Sequence, residues 1–466
     1  MKDCLVRLFI ASVFLSIAGL PISAQRDSFQ TLSCIMHVHS RYSGMKNGKS
    51  LYDIVNEARA KGINVVITSD KDLLRWEYGF WPLSNLVKAT YSFPSVLSIG
   101  PGKYLDDINK LEKRFPDMTV IPGVESAPFY YWKGNPLSGN LEMHGWHKHM
   151  LITGLENPGD YENLPVVSNT GAGAFNGFKL WPLLLFITAF FVRRKKTAAA
   201  LTVASVILMF NYYPFRDFEF NNYSGDQGEK PYQKLIDYVN SKGGLIFWAH
   251  PEAVNAETPR KFGRVTVSTP RYAKSILDTF NYTGFAIFSE GSRETGNPGG
   301  YWDQALMQYC AGTRERPVWA VGELDYGENS LGMDQVQNIL TARDGSRAAV
   351  LEALKKGNFY VSQQDKWGLR LDEYYVTSGK HTALCGQEIG REGTVFIHMN
   401  ISATDAGAHG IKVSVIRNGK VDRVLEAATP VELVYEDSAP AAEKVYYRIF
   451  AESGFQALAT NPVFAR

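Results

Sequence analysis

Short apolar segments that alternate with helical patterns are the feature that most restricts how this chain can fold. Residues 51–61 predict a helix, and residues 63–68 predict the β-branched strand that follows it. The same alternation recurs as helix 234–242 with strand 245–249. Repeated βα units with near-continuous apolar strands are typical of a parallel sheet, open or closed into a barrel. We therefore expect an α/β fold over most of the chain.

From about residue 370 the pattern changes to strands alone. Four segments there alternate in polarity or are rich in β-branched and aromatic residues: 394–401, 411–416, 431–435 and 444–451. Asn418-Gly419 is a typical two-residue hairpin turn. Residues 370–466 therefore predict a small, separate all-β sandwich.

Polar residues follow the apolar segments at the points where the predicted strands end, or immediately precede one. A single such residue is usually a cap or a hydrogen-bonded core group, but a series of this length is hard to explain in that way. The carboxyl ends of strands in α/β folds are where sites are built. Histidines and carboxylates without cysteine suit Zn, Mn or Fe. The residues are His37, His39, Asp70, Glu125, His149, His250, Glu290 and Asp325.

The composition excludes several classes of protein. Lys and Arg total 49 and Asp and Glu total 47, which argues against a dedicated nucleic-acid-binding protein because such proteins carry a clear basic excess. Hydrophobic residues make up 45% and charged residues 21%, which excludes a disordered chain. The absence of any CxxC pair argues against a zinc knuckle.

The first 24 residues read as a secretory signal peptide. Lys2 and Arg7 give a positive start, residues 8–20 are apolar, and small residues follow up to Ala24. The alternative is an uncleaved N-terminal anchor. A signal peptide predicts that the chain is exported.

A second apolar region at residues 174–215 consists of two halves separated by the four cations of residues 193–196. We interpret it as a transmembrane helical hairpin, and the positive-inside rule places the cationic tip in the cytoplasm. The catalytic part would then be membrane-anchored on the periplasmic or extracellular side. The alternative is a helical hairpin buried in a core, which four consecutive cations at its tip disfavour.

Six short motifs, taken in order, resemble those of the PHP superfamily of metal-dependent phosphoesterases. They are HVHS at 37–40, SDK at 69–71, PGVES at 122–126, HML at 149–151, AHP at 249–251 and GELD at 322–325. The run LKKGNFYVS at 354–362 and the ending TNPV at 460–463 resemble the CehA/McbA-type branch. The resemblance covers residues 30–165 and 225–365 as two parts of one PHP-like barrel, with the hairpin as an insertion, and continues into residues 370–466.

The resemblance implies a distorted parallel β/α barrel with metal ions at the strand ends. One ion would be held by His37, His39, Glu125 and Asp325. A second would be held by Glu125, His149 and His250, so that Glu125 bridges the two.

At three positions this sequence differs from the family pattern, and all three contribute to the site where some family members hold a third metal. The family's TDH is Ser69-Asp70-Lys71 here, its final DxH is Asp325-Tyr326-Gly327, and Met45 stands where a further histidine is expected. We therefore expect two divalent ions rather than three. The Lys71 ammonium would either lie where the third cation sits, as a donor to an oxyanion, or be an ordinary solvated or salt-bridged lysine, for example one paired with Asp72.

The chemistry implied is hydrolysis of a small, anionic phosphate ester by a metal-activated water. Asp325 or Asp70 would accept a proton, Lys71 would stabilise the developing negative charge, and Glu323 and Glu290 would orient histidines. Two alternatives stay open: a carboxylic or carbamic ester hydrolase of the same fold, and a catalytically silent PHP-like module that binds a ligand. No nucleic-acid partner is expected, and the oligomeric state is unknown.

Overall fold

A computed structural model describes residues 29–45, 48–215, 217–253, 258–288, 290–328, 331–438 and 443–466. The predicted signal peptide, residues 1–24, lies outside these ranges. All structural statements below refer to the described residues.

The strands of the N-terminal half are β1 (Gln30–Val38), β2 (Val65–Thr68), β3 (Asp70–Lys71), β4 (Arg75–Gly79), β5 (Lys88–Ser92), β6 (Thr119–Ile121), β7 (Gly123–Ser126), β8 (Tyr131–Lys133), β9 (Leu141–His144) and β10 (Met150–Thr153). Those of the middle are β11 (Leu245–Trp248), β12 (Arg260–Phe262), β13 (Val265–Ser268), β14 (Gly284–Phe288), β15 (Trp319–Gly322), β16 (Val336–Ala342) and β17 (Phe359–Gln363). The C-terminal strands are β18 (Leu369–Ser378), β19 (His381–Ala383), β20 (Glu388–Ile389), β21 (Val395–Ala403), β22 (Gly410–Arg417), β23 (Lys420–Ala428), β24 (Val431–Asp437), β25 (Val445–Ser453), β26 (Gln456–Thr460) and β27 (Val463–Ala465).

The helices are α1 (Leu51–Ala60), α2 (Val96–Ile99), α3 (Pro101–Arg114), α4 (Pro158–Glu162), α5 (Leu183–Phe191), α6 (Lys195–Asn211), α7 (Lys230–Ser241), α8 (Ser275–Asp278), α9 (Tyr301–Cys310) and α10 (Arg347–Lys356). Helix α1 begins with the Ser50 cap that its sequence indicates, since the Asp53 backbone N–H donates to Ser50 Oγ at 3.1 Å.

Two sheets carry most of the fold. An eleven-stranded sheet runs β20-β27-β25-β26-β17-β16-β1-β2-β6, with β22 joined to β25 and β23 to β22. A six-stranded sheet runs β15-β14-β11-β10-β7-β3, and β10 is antiparallel to both of its neighbours. The strands β11 and β14 are buried along their whole length, which explains their unbroken apolar sequences.

The predicted distorted parallel β/α barrel is wrong. The described strands form separate mixed sheets, and none of these closes into a barrel. Both β10 and β16 run antiparallel to their partners, whereas the apolar pattern that identified residues 150–152 as a strand carries no information about direction.

The predicted all-β region at residues 370–466 shares one of its sheets with the N-terminal strands. Strand β26 pairs with β17, so that one sheet continues from the N-terminal strands into the C-terminal ones. A second sheet, β19-β18-β21-β24, packs with this continuation around a hydrophobic cluster of its own that includes Val376, Ile397, Val413, Ile449 and Leu458.

A buried ion pair joins the C-terminal strands to α9. Arg448 Nε and Nη2 donate to Asp303 Oδ1 and Oδ2 at 2.8 and 2.7 Å, and Nη2 also donates to the Gly296 carbonyl at 3.1 Å. Asp303 further accepts from the Tyr446 hydroxyl at 2.7 Å and from the Gly299 N–H at 2.8 Å. We call these residues the interface cluster.

The predicted transmembrane hairpin at residues 174–215 is also wrong. Helices α5 and α6 have 9 and 17 residues, and among the described residues no helix is both long enough and apolar enough to cross a membrane. The apolar stretch is interrupted because Pro182 precedes α5 and residues 192–194 leave the helical conformation before α6. This finding also corrects the predicted localisation, in which this hairpin anchored the chain in a membrane.

Candidate metal centre

Strand ends of both sheets bring the six predicted ligands into one cluster. His37 lies near the end of β1, Glu125 lies in β7, His250 follows β11 and Asp325 follows β15. Because β10 is antiparallel to β7 and β11, its N-terminal end lies beside their C-terminal ends. The residue just before β10 is His149. The reversed strand therefore places His149 beside the others.

The first half of the cluster consists of two histidines and two carboxylates whose donor atoms face one another. His37 Nε2 lies 3.4 Å from Glu125 Oε1 and 3.5 Å from Asp325 Oδ1. His39 Nε2 lies 3.3 Å from Glu125 Oε2 and 3.1 Å from Asp325 Oδ1. Both imidazoles and Glu125 are buried, whereas the Asp325 side chain is 26% exposed and forms the open side.

The second half uses the same glutamate. His250 Nε2 lies 3.3 Å from Glu125 Oε1, and His149 Nδ1 contacts that same oxygen. The two histidine nitrogens are 3.3 Å apart. The donor atoms of His37, His39 and Glu125, and those of Glu125, His149 and His250, lie within 4.8 Å of one another. Glu125 is thus shared by the two groups of donor atoms.

Hydrogen bonds determine the tautomers of the neutral His37 and His39 rings. In both rings Nδ1 carries the proton, and Nε2 faces the centre without one. His37 Nδ1 donates to Glu323 Oε2 at 2.8 Å. Ser43 Oγ donates to Asp70 Oδ1 at 2.7 Å, and it therefore accepts from His39 Nδ1 at 2.9 Å. Each neutral imidazole then presents a lone pair on Nε2 to carboxylates. Two lone pairs facing two carboxylates repel one another unless a cation lies between them.

An unpaired buried atom agrees with this reading. Of the atoms that would face an ion, His37 Nε2 is buried and has no hydrogen bond. A buried polar atom without a partner is costly, and a coordinated metal is one way to satisfy it. The donor set, imidazole nitrogen and carboxylate oxygen, is the one that Zn, Mn and Fe accept. The residues therefore fit divalent metal ions.

The electrostatics show how strongly the cluster attracts positive charge. Burial would lower the pKa of His37, but the carboxylates of Glu125, Asp325 and Glu323 outweigh it and raise that pKa well above its usual range. Burial would raise the pKa of Glu125, but His149, Lys71 and His37 hold it well below its usual range. The carboxylates thus favour positive charge at this place, which a divalent ion would supply.

Three of the predicted ligands have a left-handed backbone. The φ angles of His37, His250 and Asp325 are 63°, 23° and 48°. Each such conformation costs a non-glycine residue about 1–3 kcal/mol and is typical of functional sites.

Glu323 orients ligands of both halves. One oxygen accepts from His37 Nδ1, and the other accepts from the His250 backbone N–H at 2.7 Å. Glu290, the other glutamate expected to orient a histidine, contributes its backbone carbonyl to the Glu252 N–H at 2.9 Å. Ser43 and Tyr272 also contact ligand histidines, and sequence reasoning missed both. Ser43 lies four residues after His39 and could have been noticed, whereas Tyr272 gives no local signal.

Lys71 belongs to the cluster. Its ammonium contacts Glu125 Oε2 and lies 3.3 Å from Glu328 Oε1, so its ion-pair partners are these glutamates and not Asp72. Burial would lower the pKa of Lys71, but Glu125, Glu328 and Asp325 outweigh it and raise that pKa. Lys71 is therefore a fixed positive charge beside the centre.

Asp70 has a different environment from the one expected for a proton acceptor. Its carboxylate accepts from the Ser40 N–H at 2.7 Å, from Ser40 Oγ at 2.8 Å and from Ser43 Oγ. Burial raises its pKa, although these hydrogen bonds and His39 oppose the rise. Asp70 thus reaches His39 through Ser43.

A pocket of about 130 Å³ opens beside the cluster. Lys71, Glu125 and His149 form part of its wall, and Leu73, Leu74 and Trp146 add apolar surface. A small molecule in this pocket would touch both charged and apolar groups.

The fold and the site define a mixed α/β protein with a buried histidine–carboxylate cluster suited to divalent metal ions. No known family model matches the chain, and no curated protein matches it. A crystal structure from Bacteroides vulgatus ATCC 8482, described as a two-domain protein containing a predicted PHP-like metal-dependent phosphoesterase, is similar over 91% of both chains, with 12% identity and a TM-score of 0.36. An engineered protein is similar over 93% of this chain and 86% of its own, with 12% identity and a TM-score of 0.18. These likenesses do not assign the chain to a family.

Proposed function

We propose that this chain is a metal-dependent hydrolase of small phosphate esters that uses two divalent ions, Zn, Mn or Fe. The observation that carries the proposal is the pair of three-residue groups sharing Glu125. The PHP-like motifs of the sequence, including those of the CehA/McbA-type branch, agree with it. A bridging carboxylate between two sets of histidines is suited to two ions held close together.

The charge of the cluster supports both the second ion and an anionic substrate. The cluster contains four carboxylates, those of Glu125, Asp325, Glu323 and Glu328, and one ammonium, that of Lys71, which pairs with Glu125 and Glu328. With the histidines neutral, as metal binding requires, this excess of negative charge would repel a phosphate ester. Two divalent ions carry four positive charges and reverse its sign, which makes the pocket attractive to an anion.

When bound, two divalent ions would polarise a phosphoryl oxygen and lower the pKa of a water molecule enough to provide hydroxide near neutral pH. Lys71 lies in the pocket wall, and its ammonium would donate a hydrogen bond to a phosphoryl oxygen once Glu125 turns to the ions. The ammonium would then stabilise the negative charge that develops on the substrate.

Asp325 and Asp70 take different parts in this scheme. Burial would raise the pKa of Asp325, but His37 and His39 hold it below its usual range, so Asp325 is better suited to hold an ion than to accept a proton. Asp70 holds Ser43 in place and thereby fixes the ring of His39. Glu323 does the same for His37.

The test is metal content combined with a substrate comparison. The purified chain is loaded with Zn, Mn or Fe, dialysed and analysed for metal, and then assayed with p-nitrophenyl phosphate, bis-p-nitrophenyl phosphate and p-nitrophenyl acetate. Glu125→Gln is the test variant. Glu352→Gln is the matched control, because Glu352 lies on α10 in an ordinary pair with Lys356.

About two equivalents of metal and phosphate-ester hydrolysis, both lost in Glu125→Gln and kept in Glu352→Gln, would support the proposal. Hydrolysis of the acetate alone would favour the carboxylic or carbamic ester hydrolase. Two bound ions with no hydrolysis would favour the silent ligand-binding module. A folded chain that binds no metal would overturn the proposed function.

A further inference from the structure

Tyr272 connects the histidines of the second half of the cluster. The residue is buried, and it lies in the segment between β13 and α8. Its hydroxyl lies 2.8 Å from His250 Nδ1, 3.0 Å from the Ala249 carbonyl and 3.2 Å from the His147 carbonyl. Ala249 immediately precedes one predicted ligand, and His147 lies two residues before the other.

The hydroxyl has one hydrogen for these three neighbours. A carbonyl oxygen can only accept, whereas His250 Nδ1 can donate or accept. If the hydroxyl donates to the Ala249 carbonyl, its oxygen accepts from His250 Nδ1–H, and His250 Nε2 then presents a lone pair toward Glu125. If the hydroxyl donates to Nδ1 instead, Nε2 carries the proton and cannot bind an ion.

In the first arrangement the Ala249 carbonyl, the Tyr272 hydroxyl and His250 Nδ1–H all form hydrogen bonds. The lone pair of His250 Nε2 is then available to an ion. Nε2 lies 3.3 Å from Glu125 Oε1 and 3.3 Å from His149 Nδ1, in the middle of the second ligand group. Tyr272 is placed to select this arrangement, because its hydroxyl is held against backbone that flanks both ligands.

The two halves of the cluster are supported in different ways. In the first half a carboxylate orients His37 directly, and Asp70 orients His39 through Ser43. In the second half a neutral phenol contacts His250, and Glu125 is shared with the first half. A carboxylate partner makes a histidine a stronger ligand than a neutral partner does.

We infer that Tyr272 is a positioning residue that assembles the second ion site only, and that this site is the weaker of the two. The inference deepens the proposed function and rests on the proposed two-ion centre. It assigns Tyr272 no contact with substrate.

The test is the metal content of Tyr272→Phe at buffered free Zn concentrations. This substitution removes only the hydroxyl. We expect the affinity for the second ion to fall about 10–100-fold, so that the variant holds one equivalent where the unaltered chain holds two, with the first ion bound as before. A purely structural role would weaken both ions together or change the free energy of unfolding alone.

Tyr282→Phe is the matched control. It removes another buried tyrosine hydroxyl, which donates to the Ile276 carbonyl at 2.7 Å and contacts no histidine. Glu323→Gln should weaken both ions, because Glu323 contacts His37 and the His250 N–H.

Two results would overturn the inference. In the first, Tyr272→Phe binds each of the two ions as tightly as the unaltered chain does. In the second, Tyr272→Phe loses affinity for the first ion as much as for the second. Absence of metal from the unaltered chain would instead overturn the proposed function, and the inference with it. The two failures are therefore distinguishable without an activity measurement.

Discussion

At the interface cluster, the buried charges of Arg448 and Asp303 balance each other. Their side chains are 0% and 1% exposed, and Asp303 also accepts from Tyr446 and Gly299. One guanidinium nitrogen, Nη1, lacks a hydrogen bond, while the guanidinium as a whole lies 4.5 Å from the centre of the Trp302 ring. One positive group meets one negative group, and nothing further is needed for neutrality.

In the metal cluster His37, His39 and Glu125 are as deeply buried, but the carboxylates and the ammonium are unequal in number. Its carboxylates outnumber its one ammonium, and His37 Nε2 has no hydrogen bond. Burial of charge is tolerated when a protein supplies the partner itself or when a ligand supplies it. The interface cluster therefore contains its own counter-charge, whereas the residues of the metal cluster are arranged so that they could accept ions from outside.

The largest expected effect is on the balanced cluster. Arg448→Met leaves the Asp303 carboxylate buried without its ion-pair partner, which should lower the free energy of unfolding by about 3–5 kcal/mol. Denaturant unfolding measures it. The metal content should stay at two equivalents, because Arg448 contacts no ligand histidine in the described structure.

The double variant Arg448→Met with Asp303→Leu sharpens this prediction. It removes both charges, and we expect it to recover much of the lost stability. A single variant as stable as the unaltered chain would show that the interface cluster contributes little, and the contrast with the metal cluster would fail.

The next effect concerns the unbalanced cluster. Added Zn should raise the free energy of unfolding. When the free Zn concentration is a hundred times the Kd of one ion, that ion should contribute about 2.7 kcal/mol. A chelator should reverse the gain, and calorimetry with and without it provides the measurement. The gain should vanish in Glu125→Gln and persist in Glu352→Gln. A gain of equal size in Glu125→Gln would place the ions elsewhere.

The sequence predicted which side chains converge better than it predicted how the strands run. His37, Glu125 and Asp325 were expected together because each follows an apolar segment, and the structure brings them together. Their role as ligands stays a prediction. His149 was expected beside them too, and it lies there because β10 is antiparallel to β7. The sequence could not predict that direction, because an apolar segment reads the same for a parallel and an antiparallel strand.

Contacts between distant segments could not be predicted from local pattern. The pairing of β17 with β26 joins strands about a hundred residues apart and makes one sheet continuous from the N-terminal strands to the C-terminal ones. Tyr272 meets His250 across 22 residues with no motif to mark it. Apolar character at 174–215 was also insufficient, because helix length decides whether a segment can span a membrane.

A smaller effect is expected from Ser43, which lies between Asp70 and His39. Ser43→Ala removes the hydroxyl that accepts from His39 Nδ1 and donates to Asp70 Oδ1, so the ring of His39 is no longer fixed. The affinity for the first ion should fall about 10–100-fold, or about 1.4–2.7 kcal/mol. Zn competition titration measures the change.

The control for Ser43→Ala is Ser50→Ala, which removes a hydroxyl that caps α1. That variant should lose about 1 kcal/mol of stability and keep its ion affinity. If Ser50→Ala weakened ion binding as much as Ser43→Ala, the loss would reflect general destabilisation and not the orientation of His39.

The smallest effect is expected where large side chains are exposed. Phe190 and Phe191 of α5 are 75% and 82% exposed, so the double variant Phe190→Gln, Phe191→Gln loses little buried surface. Its free energy of unfolding should stay within about 0.5 kcal/mol of the unaltered chain, and its ion content should not change. Denaturant unfolding at several protein concentrations is the measurement. A loss of several kcal/mol would mean that these side chains are covered in solution, and that stability depends on this surface as well as on the two buried clusters.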